Sequence, residues 1–573
     1  MLNHFLGLIL GGLIRYALYV AEAIAVLLLV RTGRRHPTLA DRWCRPFEVR
    51  LQRFAQHRGR SVVAVGLLAL LLRAALLPIL PPRLPAIADE HSYVLSGDTF
   101  ALGRLTNPPQ PMSGYFESPH VLQHPTYMSM YFPMQGLFLA AGKIVTGNQW
   151  YGVWLSVGLL CAALCWMLQG WLPPAWALLG GLIAVMRLAL FSYWMNSFFG
   201  GAVSALGGAL VLGALPRIKR RQRVFDAALL ALGLAILLNS RPYEGFFLSL
   251  PVAGALLFWL LGKKRPPARI VVLRIVLPLV LILSITGIAT CYYYWRVTGS
   301  LFQMPEALRI AQVMKAPYLI WQSPKPEPTY TNVALRTFHA ETEMNHYLAS
   351  RGIGGWLRSA VIGMRDAWVF YLGPVLTLPL IFLPRVLKDR RIRFLLVAGG
   401  VSLAGPLTGI WFYVHYAAPA TAILYAILVQ CIRHLRVCRW HPPAGVLLAR
   451  GIPAICLLMV CARLAEQPLP GFMPLDYPFT WCFTRPGGTY RADILDRLRR
   501  EGGKHLIFVR WKPGDNPYEQ WVYNEPDVDQ STVVWAWEPE HPGELLHYYG
   551  DRRVWLLRVA WQGPPTLAPY VAR

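Results

Sequence analysis

The sequence predicts a polytopic α-helical membrane protein of about 11–12 transmembrane helices, with a small C-terminal α/β domain on the outer face. Three observations carry this. Of 573 residues, 55% are hydrophobic and only 15% charged, at a mean hydropathy of +0.39; soluble domains carry nearer a quarter charged residues. Apolar runs of about 17 to 25 residues recur along the chain, the length at which a helix crosses the hydrocarbon core. Basic residues gather in short segments between those runs, which is the positive-inside pattern of cytoplasmic loops.

The basic segments are "RTGRRHPTLADRWCRPFEVRLQRFAQHRGR" (31–60), "RIKRRQR" (217–223), "KKRPPAR" (263–269), "RVLKDRRIR" (385–393) and "RHLRVCR" (433–439). They account for much of the net charge of +27. Their natural partners are the headgroups of membrane lipids, and no recognition motif accompanies them, so nucleic acid is excluded as a partner. Nine cysteines are scattered. Cys161 and Cys165 pack within one apolar helix, and no pair has zinc-site spacing with histidines. A disulfide between Cys291 and Cys482, the two placed outside the cytoplasm and the core, stays open. Residues 4–30 are too long for a signal peptide and lack its charged start, and are read as a retained span or an in-plane helix.

Apolar candidates lie near 5–30, 61–80, 126–142, 151–169, 175–193, 199–215, 226–240, 244–262, 270–290, 368–384, 394–412, 416–432 and 446–463. Charge parity arranges them. With 31–60 in the cytoplasm, 61–80 leads outward. Had 126–142 crossed, every later basic loop would fall outside, so 126–142 lies along the surface. Its stretch "HPTYMSMYFPMQG" is expected as a juxtamembrane or partly inserted helix. Residues 1–60 then form an N-terminal span and basic loop. Residues 61–463 form the transmembrane domain, with outer loops at 81–149 and 291–366. The tail, 464–573, alternates a helix ("YRADILDRLRREGG"), a strand ("KHLIFVRW"), a strand ("STVVWAWE"), a short helix ("HPGELLHYY") and a strand ("RRVWLLRV"), a small α/β domain.

Topology brings the unusual polar residues to one side. Asp89, Glu90, His91 and Tyr93 follow the span 61–80. Asn196 sits in an aromatic turn, while Asn239, Arg241 and Glu244 interrupt an apolar run. Tyr413 and His415 lie at an outer helix end. Ionisable groups at membrane depth are costly unless paired or facing a wet cavity. Each has a plainer reading too: Arg241 and Glu244 could close a turn by pairing, His415 could be interfacial, and Asp89–Glu90 could be a helix-end charge pair. His120 and His124 are spaced i,i+4, but Pro119 and Pro125 argue against a regular helix, and no metal site is assigned. Asp89 and Glu90 are adjacent and point in different directions, so they are expected to have separate roles.

These features resemble the multispanning C-class glycosyltransferases (GT-C), such as the protein O-mannosyltransferases and the lipid A aminoarabinose transferases. The resemblance rests on "DEHSY" (Asp89, Glu90, Tyr93), on "GDTFALGRLTNP" after it, and on "HPTYMSMYFPMQG" before the next span. It implies a GT-C-like fold in the inner (plasma) membrane of a bacterium, with the active site on the outer, periplasmic side. It also implies a hexosyl or pentosyl transferase that takes its sugar from a polyprenyl-phosphate donor. The acceptor hydroxyl belongs to a lipid, a glycan or a protein, and transfer is inverting. Asp89 is the implied general base and Glu90 the orienting carboxylate. Donor and acceptor contacts fall to Tyr93, Arg104, His120, His124, Asn196, Asn239, Arg241, Glu244, Tyr413 and His415. The class tends to carry a Lys-Pro-Pro stretch where this chain has "HPTY", so Arg241, Arg104 or Arg296 is expected to neutralise the phosphate. A divalent cation is the one candidate cofactor, and Glu525, Asp527 and Asp529 of "WVYNEPDVD" are either its ligands or a solvated acidic loop. A flippase or transporter of lipid-linked substrates is the alternative, and a membrane-bound acyltransferase using His415 a further one.

Overall fold

A computed structural model describes residues 17–36, 38, 41–263, 265–438, 442–466, 480–483, 489–512, 514–559 and 564–571. The first part of the expected span 5–30 and the expected domain junction after 463 fall partly outside these residues. Among the described residues, seven helices are long and apolar enough to cross a membrane: Trp150–Trp171, Gly201–Arg221, Pro242–Leu261, Ala268–Thr298, Gly352–Leu387, Ala418–Arg436 and Ala444–Ala465. Three shorter apolar helices accompany them, Pro174–Leu188, Val224–Leu238 and Arg393–Thr408. The helices Ala17–Arg35 and Arg58–Ala75 carry charge, and that charge is matched inside the bundle. Glu22 pairs with Arg187 at 2.7 Å. Arg73 donates to the Leu80 carbonyl and to Asn196, and lies over the Trp150 ring.

Two segments depart from expectation. The apolar run read as starting at 368 begins earlier, at Gly352, and is interrupted by a π-turn at Trp368–Leu372. The interruption ends at Gly373, whose φ of +59° suits a residue without Cβ. A Cβ there would also press on Arg187 and Glu22. The stretch "HPTYMSMYFPMQG" is not one helix. Val121–Leu122 pairs antiparallel with Met128–Ser129, and the helix starts only at Pro133, running to Thr146. Proline has no backbone N–H for a helix interior but suits the first helical turn, so Pro125 falls in the hairpin and Pro133 opens the helix.

In the tail, His505–Arg510 is flanked in parallel by Val533–Trp537 and Arg553–Arg558. Thr566–Pro569, which the sequence pattern did not reveal, adds an antiparallel edge strand. Alternate residues face opposite sides. Ile507 and Val509 pack with Leu498 of the helix Thr489–Glu501. Leu506 and Phe508 pack with Leu95, Phe116, Val121 and Tyr127 of the first outer loop. The sheet and that loop therefore share a core, tied further by Tyr523 donating to Asp98 and Tyr127 donating to the Asn524 carbonyl. The disulfide left open between Cys291 and Cys482 is not formed.

Candidate active site

Asp89 and Glu90 do not cap the preceding span. They occupy the first turn of a separate helix, Ala88–Ala101, where carboxylates are favoured by the helix dipole. Successive residues of a helix point about 100° apart, and the two side chains diverge accordingly. Glu90, 1% exposed, accepts the Ala86 N–H at 3.0 Å and the Phe198 N–H at 3.3 Å, linking the loop before its helix to the turn 192–200. Asp89 stays partly open, its side chain 28% exposed. It accepts the Tyr131 hydroxyl at 2.5 Å on Oδ1, and His120 Nε2 lies 3.5 Å from Oδ2.

Tyr131 connects Asp89 to a cavity of about 270 Å³. Its ring stacks on Tyr93 at 4.4 Å, and both line the cavity together with Arg241, Glu244, Glu306 and Tyr416. The Arg241 guanidinium lies 4.6 Å over the Tyr416 ring. Among the described residues it has no ion pair or hydrogen bond, so the turn-closing pair with Glu244 is not made. Glu306 stands on the short helix Pro305–Val313 of the second outer loop and accepts the Tyr318 hydroxyl at 3.0 Å. Burial pushes its carboxyl up, against the pull of Arg241 and of that hydrogen bond.

The second outer loop also closes over His120. Phe338 and His339 set their rings edge-on to it at 5.4 and 6.4 Å. Glu343 bonds His339 Nδ1 at 2.7 Å, and burial pushes its carboxyl up to about 8, opposed by His120 and reinforced by Asp89. Burial lowers His120 and drives His339 well below the usual histidine range, which keeps both rings neutral at pH 7.

The structure separates the sequence-predicted residues into two sets. Asp89, Glu90, Tyr93, His120, Arg241 and Glu244 gather at or beside the cavity. The others are engaged elsewhere. Arg104 pairs on the surface with Asp527 at 2.6 Å, and Arg296 reaches the Tyr292 hydroxyl, so of the three arginines only Arg241 lines the cavity. His124 meets Ser113 at 2.8 Å rather than joining His120. The side-chain amides of Asn196 and Asn239 are spent on Arg73, Thr290 and nearby carbonyls. Tyr413 and His415 stack on each other, with His415 also on Phe199, and neither lines the cavity. Glu525, Asp527 and Asp529 disperse to Arg499, Arg104 and the tyrosines 548 and 549. Among the described residues no three metal-ligating side chains converge, so these residues do not fit a divalent cation.

Sequence reasoning missed Tyr131, Glu306, Tyr318, Tyr416 and Glu343. Tyr131 sits inside a stretch singled out only as a whole, and Tyr416 beside the chosen His415. Glu306 and Glu343 lie in ordinary amphipathic loop helices and carry no local signal.

No family model matches the chain, and none of the curated proteins matches it. Its structural neighbours are archaeal oligosaccharyltransferases. The crystal structure of the Archaeoglobus fulgidus enzyme tethered to an acceptor peptide is 10% identical at a TM-score of 0.45, over 87% of this chain and 68% of that one. The same enzyme with zinc and sulfate is 11% identical at 0.46, over 87% and 67%. Its apo form is 10% identical at 0.43, over 78% and 62%. This chain thus spans about two thirds of theirs. At TM-scores below 0.5 the likeness decides nothing about chemistry.

Proposed function

We propose that this chain is an inverting membrane glycosyltransferase of hexosyl or pentosyl type. It moves a sugar from a polyprenyl-phosphate donor to a hydroxyl of a lipid, glycan or protein acceptor. In this reading about 11–12 helices cross the bilayer, counting the three short apolar helices and the two charged ones. The basic loops lie in the cytoplasm of a bacterium and the Asp89 side faces the periplasm. The domain limits are 1–60, 61–463 and 464–573.

The observation that carries the reading is the placement of Asp89 behind the Tyr93–Tyr131 stack of a cavity that also holds the Arg241 guanidinium, which shares it with Glu244 and Glu306 but makes no salt bridge among the described residues. The two groups the reaction needs, a base and a cation for the leaving phosphate, meet at one tyrosine: the Tyr93 phenol feels both Asp89 and Arg241. The acceptor O–H gives its proton to Asp89 while its oxygen attacks the anomeric carbon opposite the phosphate. The bond from that carbon to the phosphate oxygen breaks, and the electron pair leaves on the phosphate, beside Arg241. Glu90 orients the loop that carries Asp89. Tyr93, Tyr131 and Tyr416 offer ring faces to the sugar and the first isoprene unit.

The test is Asp89→Asn, assayed with a polyprenyl-phosphate sugar. General-base loss predicts a fall of about 10²–10⁴ in turnover with donor binding retained; near-normal turnover overturns the assignment. An acyltransferase would instead depend on His415, which packs behind Tyr416 and does not itself line the cavity, and a flippase would move labelled donor across vesicles regardless of Asp89.

A further inference from the structure

The segment 31–60, read from sequence as a basic loop, contains a 16-residue helix, Asp41–Gln56. One side of it is tied to the bundle. Glu48 takes Arg436 at 2.7 and 3.0 Å and Arg450 at 3.0 and 3.1 Å, and Asp41 also pairs with Arg450. Burial pushes the Glu48 carboxyl up, but the two arginines outweigh it and hold it at about 2. This clasp binds the helix to the ends of Thr421–Arg436 and Pro442–Glu466.

The opposite side is left uncovered by the described residues. Trp43, Phe47 and Phe54 are 81%, 62% and 37% exposed, and at about 100° per residue they form one narrow stripe. Beside it, Arg42, Arg45, Arg50 and Arg53 rim an open groove of about 540 Å³ over Pro46 and Val49, with Asp41, whose carboxylate is held by Arg450, at its margin. None of the four arginines has an ion pair among the described residues. Water would accommodate the arginines but not three aromatic rings. A bilayer interface takes both, with rings at the headgroup–acyl boundary and guanidinium groups at the phosphates.

We propose that helix Asp41–Gln56 lies in the plane of the membrane on the basic-loop side, and that its arginine groove holds the headgroup phosphate of an anionic phospholipid. The occupant is a lipid rather than a soluble anion because the aromatic stripe adjoins the groove, so one molecule can satisfy both. The inference is independent of the reaction proposed above.

The test uses the full-length protein in detergent, incubated with phosphatidylglycerol or phosphatidylcholine and read by native mass spectrometry. Wild type is expected to retain phosphatidylglycerol at least about tenfold over phosphatidylcholine. The R42Q/R45Q/R50Q/R53Q variant is expected to lose that preference, and an equal concentration of inorganic phosphate should not displace the lipid. Equal retention of the two lipids by wild type, an unchanged preference in the variant, or displacement by phosphate would each overturn the proposal. Should the variant not fold, a photoreactive phosphatidylglycerol on wild type decides: crosslinks within 41–56 support the site, and crosslinks only elsewhere refute it.

Discussion

Asp89 and Glu90 are chain neighbours that one helical turn sends to different tasks. Glu90 is consumed by two backbone donors, while Asp89 stays partly exposed between the Tyr131 hydroxyl and His120. Removing Glu90 would strand the Ala86 and Phe198 N–H groups in a buried place. Glu90→Ala is therefore expected to cost about 1–3 kcal/mol of stability, seen as a lower thermal midpoint, whereas Asp89→Asn should leave the midpoint nearly unchanged. A variant as stable as wild type would show that these two bonds do not hold the loop. Glu343 makes a pH-dependent contribution. Its folded carboxyl titrates near 8 against an ordinary value of 4.5, so burial favours the protonated form. Its contribution to stability is fully present below about 4.5 and is lost as pH rises towards and through 8. Thermal midpoints measured from pH 5 to 9 should fall less for Glu343→Gln, which mimics the neutral acid, than for wild type. Parallel curves would disprove the shift.

At the level of elements, the legible parts were those with a local physical signal. Long apolar helices announce themselves by run length, and the tail strands by short β-branched and aromatic runs such as "KHLIFVRW" and "STVVWAWE". The stretch "HPTYMSMYFPMQG" forms a hairpin end and then a helix, rather than one helix, because proline fits a turn or a first helical position but not a helix interior. The helix Asp41–Gln56 was hidden by its charge: its apolar stripe is three aromatics among arginines, too sparse for a buried amphipathic pattern. Edge strand Thr566–Pro569 has almost no apolar alternation of its own and is specified by its neighbour Arg553–Arg558.

For the whole molecule, the tail sheet and the first outer loop are one packing unit, since Leu506 and Phe508 share a core with Leu95, Phe116, Val121 and Tyr127. The helix that carries Asp89 also contributes Leu95 and Asp98 to that contact. A chain ending at residue 466 should therefore lose the proposed transfer activity and expose the loop. Limited proteolysis is expected to cut within 102–130 faster in the truncated protein than in the full chain. Equal protection would mean that the loop is held by the membrane bundle alone.

The sequence by itself determined that this is a helical membrane protein with a small α/β tail, because the match between apolar run length and bilayer thickness is a local property. It also singled out Asp89, because two carboxylates after a long apolar run are costly without a reason. Only the tertiary structure decided that Arg241, rather than Arg104 or Arg296, faces the cavity, and that Tyr131, Glu306 and Tyr416 join it there. Those residues come from stretches of chain far apart in sequence and look ordinary where they stand. Their significance is set by which groups burial forces together, and no local pattern of residues encodes that.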